Sequence, residues 1–311
     1  MVANPYGVRM RIGINGSDLL AQPDLGAITA AAQAAEAEGF DSFWLAQTAL
    51  LDAQGALALA GQHTSSLTYG TAVVPTWPRH PQAVASQALT TQAATDGRFV
   101  LGIGLSHRPV VEGSYRMEWR KPVRHMLDYL DVLLPLLHDG AADHQGEFFS
   151  YTGEGARPTD DPPKVMLAAL GEQMLRVAGK RTDGTILWCV GPRTIERQIK
   201  PIIDAAASEA GRPTPSIVCS IPVWVTDDPG PARDFIAQIL SVYAELPSYR
   251  AMLDIEGIHG LGDLSLVGTH DEVVDSLGRI AESGATDFTA VVMGGNPDET
   301  AATRAALQAA M

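Results

Sequence analysis

The sequence predicts a single (β/α)8 barrel domain across residues 1–311. Three observations carry that expectation. Apolar runs of strand length alternate with alanine- and leucine-rich helical stretches from one end to the other. Eight such runs occur. They are rich in Val, Ile, Phe and Trp without a regular inside–outside alternation, as strands of a parallel sheet read when helices cover both faces. Eight strands separated by helices close into a barrel. The competing architecture is an open doubly wound sheet, which needs a reversal of strand order. At 311 residues, 46% of them hydrophobic, the chain can bury one barrel-sized core.

Strands are expected at 11–15, 42–46, 67–74, 99–105, 164–169, 185–190, 216–226 and 287–293. Helices are expected at 25–38, 54–63, 81–95, 122–138, 172–179, 192–210, 229–246 and 271–283, with a last one at 298–310. Pro81, Pro122 and Pro192 stand at helix starts, where a missing N–H costs nothing. Gly39, Gly97, Gly211 and Gly284 follow helix ends, where a left-handed cap belongs. Three segments exceed ordinary loop length: 106–119, 139–163 with its hairpin-like HQGEFFSYTGE, and 248–268. In a barrel, such insertions build an active-site rim or a subunit contact.

A net charge of −14 argues against a nucleic-acid surface. It also means that an anionic ligand needs a local basic group or a helix end. No window holds eighteen unbroken apolar residues, so no membrane span is expected. The opening MVANPYGVRMRIGING lacks a charged segment followed by an apolar one, so no secretory leader is expected. Cys189 and Cys219 lie in apolar runs and read as buried thiols of a reducing compartment, which points to the cytoplasm. No metal site is expected. No glycine-rich dinucleotide fingerprint opens a helix after the first strand, and P-loop, HExxH and GxSxG motifs are absent.

The most informative stretch is GTAVVPTWPRHP (70–81), a helix, then DGRFVLGIGLSH (96–107). It forms a βαβ unit, so the loops after both strands emerge on one edge of the sheet. Pro75, Pro78 and Pro81 stiffen one loop. Gly102 and Gly104 keep the other strand end small, which lets a flat ligand approach the backbone. In a barrel, Gln47, Val74, Trp77, Ser106, His107, Ala169, Gly171, Trp188 and Trp224 would meet at the C-terminal strand ends.

Together with GFDSFWLAQ (39–47), AALGEQML (168–175) and DGTILW (183–188), these motifs give the chain its resemblance to a known family. It resembles the bacterial luciferase-like superfamily of flavin and deazaflavin barrels, from residue 10 to about residue 310. Within that superfamily it is most similar to actinobacterial oxidoreductases that use coenzyme F420. The resemblance implies a non-prolyl cis peptide at Ala72–Val73 and a cofactor site at Ala72, Val73, Val74, Gly102, Gly104 and Ser106. It also places the cofactor phosphodiester on the turn Ala169-Leu170-Gly171 and the helix start Glu172-Gln173-Met174, where free N–H groups and a positive helix end are available.

Two residues are assigned to chemistry. His107 stands where the family's glucose-6-phosphate dehydrogenases carry a glutamate, and imidazole can move a proton near neutrality. Its other reading is a polar rim residue. Gln47 departs from the family's acid–histidine pair (here Gln47-Thr48) and can hydrogen-bond a ring edge or substrate but not transfer protons. Trp77, Trp188 and Trp224 are expected to line an apolar pocket suited to a neutral organic substrate. Arg79, Arg108 and Arg176 either offset the cofactor's anionic tail or are solvated charges, the second reading leading for each alone. His80 is read as structural or as a neighbour of the phosphate.

The implied activity is hydride transfer between F420 and a small organic substrate, in a cytoplasmic homodimer with no nucleic-acid or membrane partner. The alternatives are an FMN-dependent monooxygenase of the same fold and a non-catalytic deazaflavin-binding protein.

Overall fold

Eight parallel strands close on themselves: β1 (Arg11–Asn15), β2 (Ser42–Leu45), β3 (Thr68–Thr71), β4 (Phe99–Gly104), β5 (Lys164–Leu167), β6 (Gly184–Trp188), β7 (Ser216–Val225) and β8 (Asp287–Val292). Each pairs with the next, and β8 returns to β1 in the register Arg11↔Asp287. That closure selects the barrel over the open sheet. The computed structural model describes residues 9–48 and 50–311; the expectation about the opening segment falls partly outside them. Among the described residues, no helix is long and apolar enough to cross a membrane.

The expected helices form, with the proline starts and glycine stops in place. Pro81, Pro122 and Pro192 occupy first-turn positions, and Gly39, Gly97, Gly211 and Gly284 all have positive φ. The expected helix 192–210 is interrupted by a π segment, Ile195–Ile199. Pro201 follows and lacks the N–H that a regular ladder needs. The expected helix 229–246 divides into Pro229–Ile239 and Ser241–Ala244. The three long segments are structured. The first carries the helix Arg108–Gly113, the second the hairpin Ala141–Gln145 with Ser150–Glu154, and the third the helices Pro247–Glu256 and Leu261–Leu264 and a short strand, Leu266–Gly268.

The expected strand 67–74 does not run through. β3 ends at Thr71, and Val74–Pro75 resumes the pairing with β4. Gly70 faces Val100 whereas Val74 faces Ile103, an advance of four residues against three. The extra residue makes a bulge, and bulges re-aim the chain at sheet rims. The bulge contains Ala72–Val73, which is cis as the resemblance implied. Thr71 bridges the gap: its hydroxyl donates to Gly102 O (2.8 Å) and accepts from Gly102 N (2.9 Å).

The barrel interior is filled by Trp44, Val100, Met166, Ile186 and Val218. Trp44 is buried, and its indole N–H donates to Ser42 Oγ at 2.8 Å. A Cβ on Gly70 would stand 2.2 Å from the Trp44 ring. A Cβ on Gly102 would stand 1.9 Å from Thr71 O and 2.4 Å from Ile186 Cδ1. Gly102 therefore clears the barrel interior, not a ligand, which corrects its assignment to the cofactor site. Because backbone cannot yield to a side chain there, Gly102→Val is expected to abolish folding and Gly70→Ala to cost roughly 2–3 kcal/mol by overpacking. Urea denaturation checks this: Gly70→Ala lowers the midpoint, and Trp44→Phe in the same chain recovers part of the loss.

Candidate active site

Above the Trp44 layer, the C-terminal strand ends enclose a cavity of about 910 Å³. β1 contributes Asn15 and Ser17, β2 the run Ala46–Thr48, the β3 bulge Ala72 and Val73, and β4 the run from Gly104 to His107. From β5 come Ala168, Ala169, Leu170 and Gly171; β6 gives Ile186 and Trp188, and β8 gives Val291. The insertions complete the wall with Tyr115 and Trp119 on one side and Ser248 and Tyr249 on the other, where Tyr243 joins them from the helix Ser241–Ala244.

The floor is held by polar side chains. Asn15 Nδ2 donates to Ser220 Oγ (3.0 Å), and its Oδ1 accepts from both Ser17 N and Ser17 Oγ. Ser17 Oγ in turn accepts from Ala46 N at 2.8 Å. At β4, Gly104 is where the bulge comes closest, since a Cβ there would lie 2.7 Å from Val73 Cγ2 and 3.1 Å from Ala168 Cβ. Ser106 (φ 60°) and Cys189 (φ 50°) take left-handed conformations at the ends of β4 and β6, positions that non-glycine residues seldom adopt away from functional turns.

Of the residues expected to bind cofactor, the fold brings Ala72, Val73, Gly104, Ser106, Ala169, Leu170, Gly171 and Met174 to the cavity. Val74 is not among them: it is fully buried and paired with Ile103 behind the wall. Glu172 and Gln173 are also absent. Both are exposed, and Glu172 turns outward to pair with Arg176 at 2.9 Å. Gly171 is the N-cap of the helix Glu172–Arg181 and supplies no side-chain cap, so the first-turn amides remain available to a ligand. Gln198, which the sequence reading missed, fixes this turn by donating to Leu170 O at 2.9 Å.

Among the tryptophans, Trp188 lines the cavity, and Trp77 and Trp224 do not. Trp77 stacks on His125 (3.9 Å between centroids) behind the wall, and Trp119 takes the place expected of it. Trp224 donates to Glu299 Oε2 (2.6 Å) and meets Phe235, away from the cavity. Arg108 and Arg176 are solvated ion pairs with Glu112 and Glu172. His80 accepts from Gln82 N and caps a helix.

His107 stands at the cavity edge, its ring against Tyr243 (5.6 Å) and Tyr249 (5.9 Å). Burial pushes its pKa below the usual imidazole value, so the neutral base prevails near pH 7. Tyr243 also meets Trp188 (6.2 Å) and Tyr249 (5.4 Å), which makes a four-ring cluster over one side of the cavity. Burial raises both phenols well out of the neutral range, so they stay protonated donors. Their segment is clasped to the barrel by Glu256, which accepts from Thr194 N (2.6 Å), while Arg193 Nη1 donates to Glu256 O (2.7 Å). Gln47 reaches the wall, but both ends of its amide are engaged: Nε2 donates to Leu51 O (2.6 Å) and Oε1 accepts from Ala53 N (2.8 Å). These bonds order the loop after β2 and leave the amide its second N–H and second acceptor lone pair at the cavity wall.

Asp128, Asp131 and His144 come together behind the hairpin. Arg124 pairs with Asp128 and Arg181 with Asp131, and Phe148 N donates to Asp128 Oδ2 (2.9 Å), which holds the insertion to the helix Pro122–Asp139.

A parallel barrel with a large strand-end cavity, backbone-lined on one side and aromatic on the other, defines a cofactor- and substrate-binding enzyme class. The chain belongs to the luciferase-like monooxygenase family, whose model matches residues 7–287. It is 31% identical over 249 residues to the uncharacterized protein Rv1360 of Mycobacterium tuberculosis, covering 75% of this chain and 72% of that one. A second M. tuberculosis protein, Rv3520c, provisionally named a coenzyme F420-dependent oxidoreductase, is 27% identical over 283 residues (86% and 79%). Among solved structures, the coenzyme F420-dependent tetrahydromethanopterin reductase of Methanopyrus kandleri superposes with a TM-score of 0.80 at 20% identity, covering 97% of each chain. The FMN-bound oxygenating component of 3,6-diketocamphane monooxygenase from Pseudomonas putida gives 0.74 at 17% identity (97% and 96%). At such identities the superpositions speak for the fold.

The wall behind Trp77 carries a pH dependence. His125 is buried, bonded to Thr76 Oγ1 (3.0 Å) and ringed by Trp77, Tyr129, Phe148 and Phe149. Burial lowers its pKa from 6.5 to about 4. The unfolded chain then binds more protons between those values, so stability present above pH 6.5 is lost as pH falls towards 4. His107 adds in the same direction. Thermal melts between pH 7.5 and 4 are expected to show this decline, with a shallower slope for His125→Gln.

Proposed function

We propose that the chain is a coenzyme F420-dependent oxidoreductase acting on a small organic substrate. The observation that carries this reading is the backbone wall: the Ala72–Val73 bulge meets Gly104 where a Cβ would fill the approach. A flat tricyclic ring suits such a wall, and the motifs and the provisionally named mycobacterial relative support the deazaflavin. At Gly171 a Cβ would meet nothing within 4 Å, leaving the helix start open to a phosphodiester. Ala72, Val73, Gly104 and Ser106 would hold the ring, and Ala169, Leu170, Gly171 and Met174 the side chain. When bound, the deazaflavin supplies the carbon that gives or takes the hydride.

The chain's own part is placement and proton handling. His107, neutral and facing the cavity, accepts a proton at a ring nitrogen when the substrate is oxidised and returns it when the reaction runs in reverse. Trp188, Tyr243 and Tyr249 exclude water over the same region. The apolar and aromatic lining supports a neutral reacting group. Placement in the cytoplasm is part of this reading, supported by the two free buried thiols. A two-fold homodimer is also part of it, as the commonest arrangement of soluble oligomers.

The second reading, an FMN-dependent monooxygenase, is favoured by one residue. Arg79 lines the cavity and would suit a terminal phosphate. Fluorescence titration of the protein with F420 and with FMN separates the two: micromolar FMN binding without deazaflavin binding would sink the first. Turnover of reduced F420 against enones and imines then distinguishes an enzyme from a carrier. His107→Ala is expected to keep coenzyme affinity within about threefold while slowing turnover roughly a hundredfold or more; unchanged turnover reduces His107 to a rim residue.

A further inference from the structure

The cavity differs in charge from the chain around it. The chain carries 36 acidic and 22 basic residues, yet among the described residues no carboxylate lines the cavity and its one permanent charge is Arg79. Arg79 is half-buried. Among the described residues its side chain has no ion pair and no hydrogen-bond acceptor, whereas other half-buried cations have them. Arg98 donates to Gly61 O, Thr64 and Leu67 O, Arg181 pairs with Asp131, and Arg304 with Glu38. The charge of Arg79 is felt by Tyr129, whose buried hydroxyl has no partner among the described residues.

The backbone under Arg79 is rigid. Pro78 precedes it and Pro81 follows closely. Arg79 N donates to Thr76 O (3.2 Å), and Thr76 is bonded to His125. A half-buried guanidinium held this way, with no anion beside it, remains costly to desolvate until a ligand supplies one.

We propose that Arg79 forms an oxyanion subsite of the cavity, separate from the helix start at Gly171, and takes a carboxylate or phosphate of the bound molecule. The oxyanion comes either from the coenzyme's side chain or from the substrate. The coenzyme arm rests on the deazaflavin reading; the anion site itself does not.

The test measures binding, not turnover. Tryptophan fluorescence of the full chain and of Arg79→Gln is titrated with F420, with the same deazaflavin lacking its phosphate-bearing side chain, with inorganic phosphate and with benzoate. If the coenzyme supplies the oxyanion, Arg79→Gln weakens F420 at least tenfold and leaves the tail-less ring unchanged. If the substrate supplies it, both deazaflavins bind alike to the two proteins, and phosphate or benzoate binds the native chain at least tenfold better than Arg79→Gln. Arg79→Lys recovers part of either loss, since it restores charge without the planar fork. Equal binding of all four probes to the native chain and Arg79→Gln, with matching circular dichroism, overturns the proposal. Failure of both deazaflavins to bind the native chain, with Arg79-dependent phosphate or benzoate binding retained, refutes the deazaflavin reading and upholds the subsite.

Discussion

The site rests on one packing constraint, the seating of Trp44 inside the barrel. Its ring lies where Gly70 has no Cβ, and its N–H is satisfied by Ser42 Oγ, which itself lies 2.1 Å from where a Cβ of Gly13 would be. Three adjacent strands thus give up side chains or commit them so that one large ring can fill the space. Without that filling, the strand ends above would enclose a void. With it, they enclose a ligand-sized chamber on a solid floor.

The β3 bulge depends on the same arrangement. Because Gly102 adds no side chain, Thr71 can replace the lost ladder bonds with its hydroxyl, and the next two residues swing towards the chamber. The proline loop that follows is braced from outside by packed rings, Trp77 stacked on His125 and His125 edge-on to Phe148 and Phe149. The hairpin that looked like a surface insertion is therefore the buttress of one chamber wall. The opposite wall is built differently, from a helical segment fastened at Glu256.

The barrel was legible because each strand and helix carries its own local signal: apolar runs, proline starts and glycine stops. The backbone side of the site was legible for a related reason, since small residues at strand ends record where chains approach closely. Gly102 shows the limit of that logic. The sequence marks a close approach there but not what approaches, and the neighbour is Thr71 O. Trp77 and Trp224 illustrate the same gap, because a strand-end tryptophan gives no sign of which face it takes. Tyr249 and Trp119 belong to insertions whose length signalled a rim but whose contacts depend on tertiary placement, and Tyr243 came from what read as an ordinary helix. The loop-ordering role of Gln47 was not legible because its partners, Leu51 O and Ala53 N, are backbone atoms that any loop sequence could present.

The pairing of β1 with β8 has a consequence for how the molecule comes into being. The β2 partner of β1 is made early in synthesis, but the partner for its other edge, Asp287–Val292, is made almost last. Only then can Arg11 reach Asp287 (2.6 Å) and the Glu38–Arg304 pair tie the two ends of the ring. Any sheet formed before that moment has an unpaired edge at each side, and such edges template association. At cellular elongation rates of 5–20 residues per second, that vulnerable interval lasts roughly 15–60 seconds. The length of that interval is set by where the last strand lies in the sequence, whatever the final stability of the barrel.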